Sequence, residues 1–311
     1  MDAYDKSIVF ELMDNSRQTL RQLSKKISLT APSIKKRIDS LTESGFIKDY
    51  IVTLGNKYIN ATEAIIIATT DGSVEFDEFA QEVQSNNCVF LILPMTSGEL
   101  FLRAMYTEVS DLSNLIDIVT NFPGVQNVEF HTTYSHEGTS QLSDFTTAQL
   151  KILSQLVSNP RMAAHEIAAR SGLSVKKVNQ NLDALINENM VIFGIKWNPF
   201  GKGTSVVVVP IHYDSQQTNP DYITDWLSTR FPIEFWYARV SREQPTLFAI
   251  FGIDDIQKLD YMTTEIRTQK WAEAVSVMIG YSSINLDTPP MTMLVDLLSK
   301  NNLWPPPDKR P

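Results

Sequence analysis

Residues 28–50 read SLTAPSIKKRIDSLTESGFIKDY, and residues 172–194, 144 positions further on, read GLSVKKVNQNLDALINENMVIFG. The two stretches keep one apolar frame, pairing Leu29 with Leu173, Ile34 with Val178, Ile38 with Leu182 and Leu41 with Leu185. Ile34, Ile38 and Leu41 stand at i, i+4 and i+7, the spacing of one helix face. Thr30 suits the N-cap of that helix, Pro32 is compatible with its first turn, and Gly45 ends it. FIKDYIVTLG and MVIFGIKWNP follow, and each is expected to fold as a short β-hairpin, the wing of its unit.

The same offset carries Ile8 onto Ile152, Leu12 onto Leu156 and Leu23 onto Ile167, with polar matches at Asn15 and Asn159, Arg17 and Arg161, and Asp39 and Asp183. Solenoid repeats run to about 20–50 residues, so this period means a duplicated multi-element unit. Each copy opens with three helical stretches. In the first, Ile8, Phe10, Leu12 and Met13 make one apolar side, and Leu20, Leu23 and Ile27 the next. In the second the stretches are TTAQLKILSQLVSN, MAAHEIAARS and VKKVNQNLDALINEN. After each wing comes a β-α-β-β-α-β order, the ferredoxin-like split βαβ. The predicted class is therefore α+β, with two winged helix-turn-helix domains (1–57 and 144–200) alternating with two ferredoxin-like (βαββαβ) domains (58–140 and 203–285). A C-terminal tail, 286–311, adds one short helix and a proline-rich, extended end. The exposed sheet faces of the α/β domains need cover, so the two are expected to pair within the chain, and residues 1–140 alone to dimerise.

A net charge of −9 over 311 residues argues at first against a nucleic-acid binder. Its distribution argues the other way. Residues 1–57 hold ten basic residues against seven acids, and residues 144–200 six against four, so the remainder carries −14. Two basic modules on an acidic body suggest a polyanion met by part of the surface. Cys88 is the one cysteine; no internal disulfide or cysteine metal cage follows, and its apolar run, CVFLIL, points to a core place. No run approaches eighteen apolar residues, and the N-terminus is unlike a secretory signal, so a cytoplasmic protein with no membrane partner is expected.

Three helices and a wing present their third helix to the major groove of duplex DNA. Between Arg17 and Arg37 there are seven basic residues and no acids. Arg17, Arg21, Lys25 and Lys26 are placed to neutralise phosphates, while Ser33, Lys35, Lys36, Arg37 and Ser40 lie on or beside the outward face of the third helix, with Lys36 or Arg37 suited to guanine. The second module offers Arg161, Lys176, Lys177, Asn179, Gln180 and Asn181. Its amides suit adenine edges; a module kept for packing is the other reading.

The stretch at 28–50 resembles the helix-turn-helix core of the Lrp/AsnC (feast/famine) transcription regulators, which typically read GLSPSTVxRRIxRLExxGVIxGY. Lys36-Arg37 match the double arginine of that pattern; Ser28 stands where it has glycine, and Gln180-Asn181 replace the arginines in the second copy. FPGV at 122–125, followed by Val128, is similar to the family's late PGV-x-x-V, and Ser97-Gly98-Glu99 to its glycine-bearing turn between the middle strands. Ser241–Gln244 lacks that glycine. The resemblance runs twice along the chain, to about residue 285. It implies a sequence-specific transcription regulator, a covalently fused dimer paired through the α/β domains. It also implies a small amino-acid-like effector at Ser97, Gly98 and Glu99, and further self-association.

Two other classes compete. Siroheme decarboxylases share the two-domain plan, and such an enzyme would draw on His131, His136 or His212. The four histidines form no pair at metal-ligand spacing, and no GxGxxG, P-loop, HExxH or GxSxG occurs; NPFGKGTS at 198–205 reads as a linker. Catalysis, cofactor and metal are therefore not expected. The third class is a scaffold whose winged helices bind protein.

Overall fold

The computed structural model describes residues 1–133 and 144–304, so His136 and the proline-rich end from residue 305 lie outside the described residues. The first copy runs α1 (Ala3–Asp14), α2 (Leu20–Ile27), α3 (Ala31–Glu43), β1 (Ile47–Leu54), α4 (Asn56–Ile59), β2 (Thr62–Thr70), α5 (Phe76–Gln84), β3 (Val89–Pro94), β4 (Glu99–Tyr106), α6 (Val109–Asn121) and β5 (Val125–Thr132). The second runs α7 (Thr147–Leu156), α8 (Ala164–Ser171), α9 (Val175–Asn187), β6 (Val191–Trp197), β7 (Ser205–Tyr213), α10 (Pro220–Arg230), β8 (Phe235–Val240), β9 (Thr246–Ile253) and α11 (Ile256–Arg267). Its last strand is divided into β10 (Ala272–Val275), β11 (Met278–Gly280) and β12 (Ile284–Asn285), and α12 (Pro289–Lys300) follows. Both copies thus show the α+β order read from the pattern. The described residues fall into two compact units, one of 4–60, 144–197 and 289–304, the other of 1–3, 61–133 and 198–288.

In the winged-helix unit the expected hairpins are absent. Each wing is one strand, and β1 pairs antiparallel with β6 of the other copy, from Ile47 opposite Trp197 to Leu54 opposite Val191. The reason is local: neither strand carries a two-residue turn signal at its middle, so each satisfies its edge on the other. Tyr50 faces Ile195 and Ile51 faces Gly194, so the register maps each copy onto the other about a point between these pairs. Gly55 donates its N–H to Met190 O at 2.9 Å and extends the junction. Val52 and Leu54 of β1 enter the core of the second module with Leu153, Leu182 and Leu185. Leu294 and Leu298 of α12 are fully buried in that same core.

In the α/β unit the first sheet is ordered β12-β3-β4-β2-β5 and the second β10-β7-β9-β8, with β11 also on β7. One face of each sheet carries helices: Ala64, Ile66 and Ala68 pack among Phe79, Leu115 and Val119, and Val207, Val209 and Ile211 among Ile223, Leu227 and Leu259. Cys88 lies in the first of these cores, where burial pushes its thiol up to about 11. The opposite faces are occupied across the copies. Matched bridges join Met95 to Gly280 and Thr133 to Ser241, and β12 adds Ile284 opposite Ile92 to the edge of the first copy's sheet. A last strand that leaves its own sheet was not read from the sequence; the continuous run AVSVMIGYSS hid its division.

His131 sits on this shared face, 1% exposed, with Nδ1 3.0 Å from Ser241 Oγ. Its Nε2 is 2.9 Å from a Glu129 carboxylate oxygen, a contact that becomes an ion pair only when the ring is protonated. Burial holds the imidazole below its ordinary 6.5, against the pull of Glu129 and Glu243 and with a small push from His212. Unfolded, the ring takes up its proton near 6.5; folded, it stays neutral to lower pH. The His131 contribution to the α/β unit is therefore expected to be fully present above about 6.5 and to be lost as pH falls from there toward the lower folded value. His131→Leu should flatten melting temperature against pH in this window; an unchanged slope would assign the loss to other groups.

Candidate nucleic-acid interface

Local sequence sets α2 and α3 at a tight turn. Thr19 and Gln22 form a reciprocal capping box at the start of α2. Ser28 ends α2 in the left-handed region, φ 59°, and returns its N–H to Ser24 O at 3.1 Å. Thr30 caps α3 through the Ser33 N–H, with Pro32 in the first turn. In the second module Gly172 takes the left-handed position, φ 72°, and Ser174 caps α9 through the Lys177 N–H. Ile34, Ile38 and Leu41 turn inward, as do Val178, Leu182 and Leu185.

On the surface of the first module Arg21, Lys25, Ser33, Lys36 and Ser40 are exposed. Lys36 makes no ion pair among the described residues. Lys26 is paired with Glu11 at 2.5 Å and Lys35 with Asp39 at 2.6 Å, both at the surface, where such pairs stabilise by well under about 1 kcal/mol and release readily to a phosphate.

Two expected contacts are corrected. Arg37 does not face outward as a base reader; its guanidinium bonds the buried Asp5 of α1 at 2.8 Å and lies over the Tyr4 ring. The sequence held that signal: Asp5 precedes Ile8, Val9 and Leu12 at i+3, i+4 and i+7, so it lies on the buried stripe of α1 and needs a cation. Arg17 likewise turns from phosphate. It donates to Pro160 O at 2.5 Å and Met162 O at 2.9 Å, over the Phe193 ring. Its repeat partner Arg161 stacks on Tyr50 at 4.7 Å, and the two line, with residues of α3, a groove of about 480 Å³. The matched arginines join the modules.

In the second module Lys176, Lys177, Asn179 and Gln180 are exposed. Asn181 turns its side-chain amide back along its own helix, donating to Lys177 O one turn earlier at 2.7 Å. Under the 144-residue offset Arg21, Lys25 and Lys36 become His165, Ala169 and Gln180, so the cations that stand clear in one module have no charged counterpart in the other.

The residues expected to meet an effector lie in the α/β unit. Ser97, Gly98 and Glu99 form the tip between β3 and β4; Gly98 takes φ 91°, its carbonyl accepts from Thr70 Oγ1 at 2.6 Å, and Ser97 Oγ bonds the Glu99 carboxylate. At the matching tip in the second copy the Glu243 carboxylate accepts from Thr132 N–H and Oγ1 and from Ser241 Oγ, an arrangement missed in sequence because these partners lie on different copies.

Residues 1–48 and 146–192 match the family of winged helix-turn-helix DNA-binding domains. The HTH-type transcriptional regulator LrpC of Bacillus subtilis is 29% identical over 85 residues, 27% of this chain and 59% of LrpC, so the match spans little more than half of that relative. An uncharacterised HTH-type transcriptional regulator of Pyrococcus furiosus is 27% identical over 120 residues, 37% of this chain and 77% of its own length. Among solved structures, the siroheme decarboxylase NirDL shares the fold over 97% of this chain and 100% of its own, with a TM-score of 0.56 and 13% identity. Among the described residues, no helix is long and apolar enough to cross a membrane.

Proposed function

We propose that the chain is a tandem-duplicated regulator of the Lrp/AsnC type, which binds duplex DNA sequence-specifically as a covalent pseudo-dimer and regulates transcription. The observation that carries this reading is the coincidence of the exposed, acid-free cations Arg21, Lys25 and Lys36 with the helix pair suited to the major groove. The β1–β6 register, which maps each wing strand onto the other, supports a pseudo-dyad between the two modules. Arg21 and Lys25 neutralise phosphates, and Lys36 replaces Arg37 as the base-reading cation. Ser97, Gly98 and Glu99 are the place where an amino-acid-like effector would act.

Selection of bound sequences from random duplexes, then a salt titration on the winner, tests the reading. Counterion release should lower affinity steeply, by about 10²-fold or more between roughly 50 and 200 mM salt for five or more phosphate contacts. A flat response would remove the electrostatic basis of the proposal.

A second reading rests on the fold shared with siroheme decarboxylase NirDL along nearly the whole chain. His131 does not present a ring to a tetrapyrrole, being buried and bonded to Ser241. Absorbance of the protein mixed with siroheme tests this reading: a new, saturable band would favour it, and an additive spectrum would oppose it.

A further inference from the structure

The strand registers allow the two α/β repeats to be superposed position by position. Ile65 pairs with Arg103 in the first sheet and Val208 with Ile250 in the second; Leu91 pairs with Arg103 and Tyr237 with Ile250. It follows that Glu63 corresponds to Val206, Arg103 to Ile250, Leu91 to Tyr237 and Leu93 to Arg239. The anchor Phe101 corresponds to Phe248, and both are buried. The chemistry around these anchors is not matched.

On one side of the pseudo-symmetric face Glu63 and Arg103 of the first repeat meet Tyr237 and Arg239 of the second. Arg103 Nε donates to Glu63 Oε1 at 2.6 Å and its Nη1 to Tyr237 Oη at 2.7 Å, while Arg239 Nε donates to Glu63 Oε2 at 2.9 Å. Both guanidiniums stack on the Tyr237 ring, at 5.3 and 4.8 Å. Burial would raise the Glu63 carboxyl, but the two arginines overcome it and hold the group below its ordinary value. The positions that symmetry would make equivalent are Leu91, Leu93, Val206 and Ile250, all apolar.

We propose that this face is heterospecific: the first repeat fits the second repeat of its own chain and not a second copy of itself. Two first repeats would set Glu63 and Arg103 against Leu91 and Leu93, leaving Glu63 with one arginine in place of two and Arg103 without the Tyr237 hydroxyl. Two second repeats would set Arg239 against Val206 and Ile250, a guanidinium with no carboxylate. An unpaired polar group at a buried face opposes each self-pairing, which is how partner choice is enforced against a near-identical competitor. The expectation that residues 1–140 dimerise alone treats the halves as interchangeable, and this asymmetry argues against it. The inference does not depend on the DNA-binding reading.

Full-length variants test it. Arg239→Leu should lower the thermal midpoint by about 5 °C, since it leaves the buried Glu63 carboxylate with Arg103 alone in place of two arginines. Glu63→Val combined with Arg239→Leu should cost clearly less than the sum of the two alone; additive losses would overturn the network. The fourfold variant E63V/R103I/Y237L/R239L makes the polar side a copy of the apolar one. It should recover most of the midpoint and, after refolding at high concentration, yield exchanged dimers of doubled mass by light scattering, where the wild type keeps one mass. A recovered variant that refolds to the same mass as the wild type would overturn heterospecificity.

Discussion

Alanine at Arg21, Lys25 and Lys36 together is expected to weaken duplex binding about 100-fold near 0.15 M salt. Each phosphate contact contributes about 0.9 to the slope of log affinity against log salt, so losing two or three should reduce that slope by about 2 to 3. All three residues are exposed, so the triple variant should melt like the wild type. Lys176→Ala with Lys177→Ala should cost about tenfold less, because the other cationic positions of the first module are His165, Ala169 and Gln180 in the second. The preferred site should accordingly be asymmetric. Arg37→Ala is the control that separates the two effects: it strands the buried Asp5 and should lower stability before it alters base preference. Anisotropy titrations at several salt concentrations measure all of this. Equal losses from the two modules on a palindromic site would sink the asymmetry.

Gly55→Ala is expected to cost about 3 kcal/mol or more in the winged-helix unit, at the upper end for overpacking. A β-carbon there would stand 1.9 Å from Asn189 O and 3.0 Å from Asn189 C, both backbone atoms that cannot rotate aside. Relief requires withdrawing β1 from β6, which parts the modules at the end of their register and breaks the Gly55–Met190 hydrogen bond. Denaturant unfolding followed by DNA affinity would show it: a variant that stays folded should bind like a single module. An unchanged midpoint would mean the junction bends freely.

The order of elements was legible because apolar residues repeat at helical and strand spacing in both copies, and because Thr30, Ser174 and Gly172 are the residue types that helix ends require. The exposed cations of α2 and α3 were legible for the same reason: Ile34, Ile38 and Leu41 fix which side is out. Pairing between distant segments was not. Nothing in FIKDYIVTLG says that its partner is β6 and not itself, and Arg17 shows no local mark of its two carbonyl acceptors at Pro160 and Met162. Arg37 is the instructive case, since helix periodicity alone left it beside the outward face and only the buried acid on α1 decided its direction.

The strand that crosses between the sheets has a consequence for synthesis. Ile284 and Ile92 are neighbours in the fold but roughly two hundred residues apart in the chain. A ribosome therefore releases the whole first copy, and most of the second, while the outer edge at β3 still has open hydrogen-bonding groups. Closing so large a loop is slow, and an uncovered edge invites pairing with a stray strand from another nascent chain. Protection of the β3 amides in pulsed hydrogen exchange should accordingly arrive last in the α/β unit, together with that of Leu286, whose N–H bonds Phe90 O at 2.9 Å.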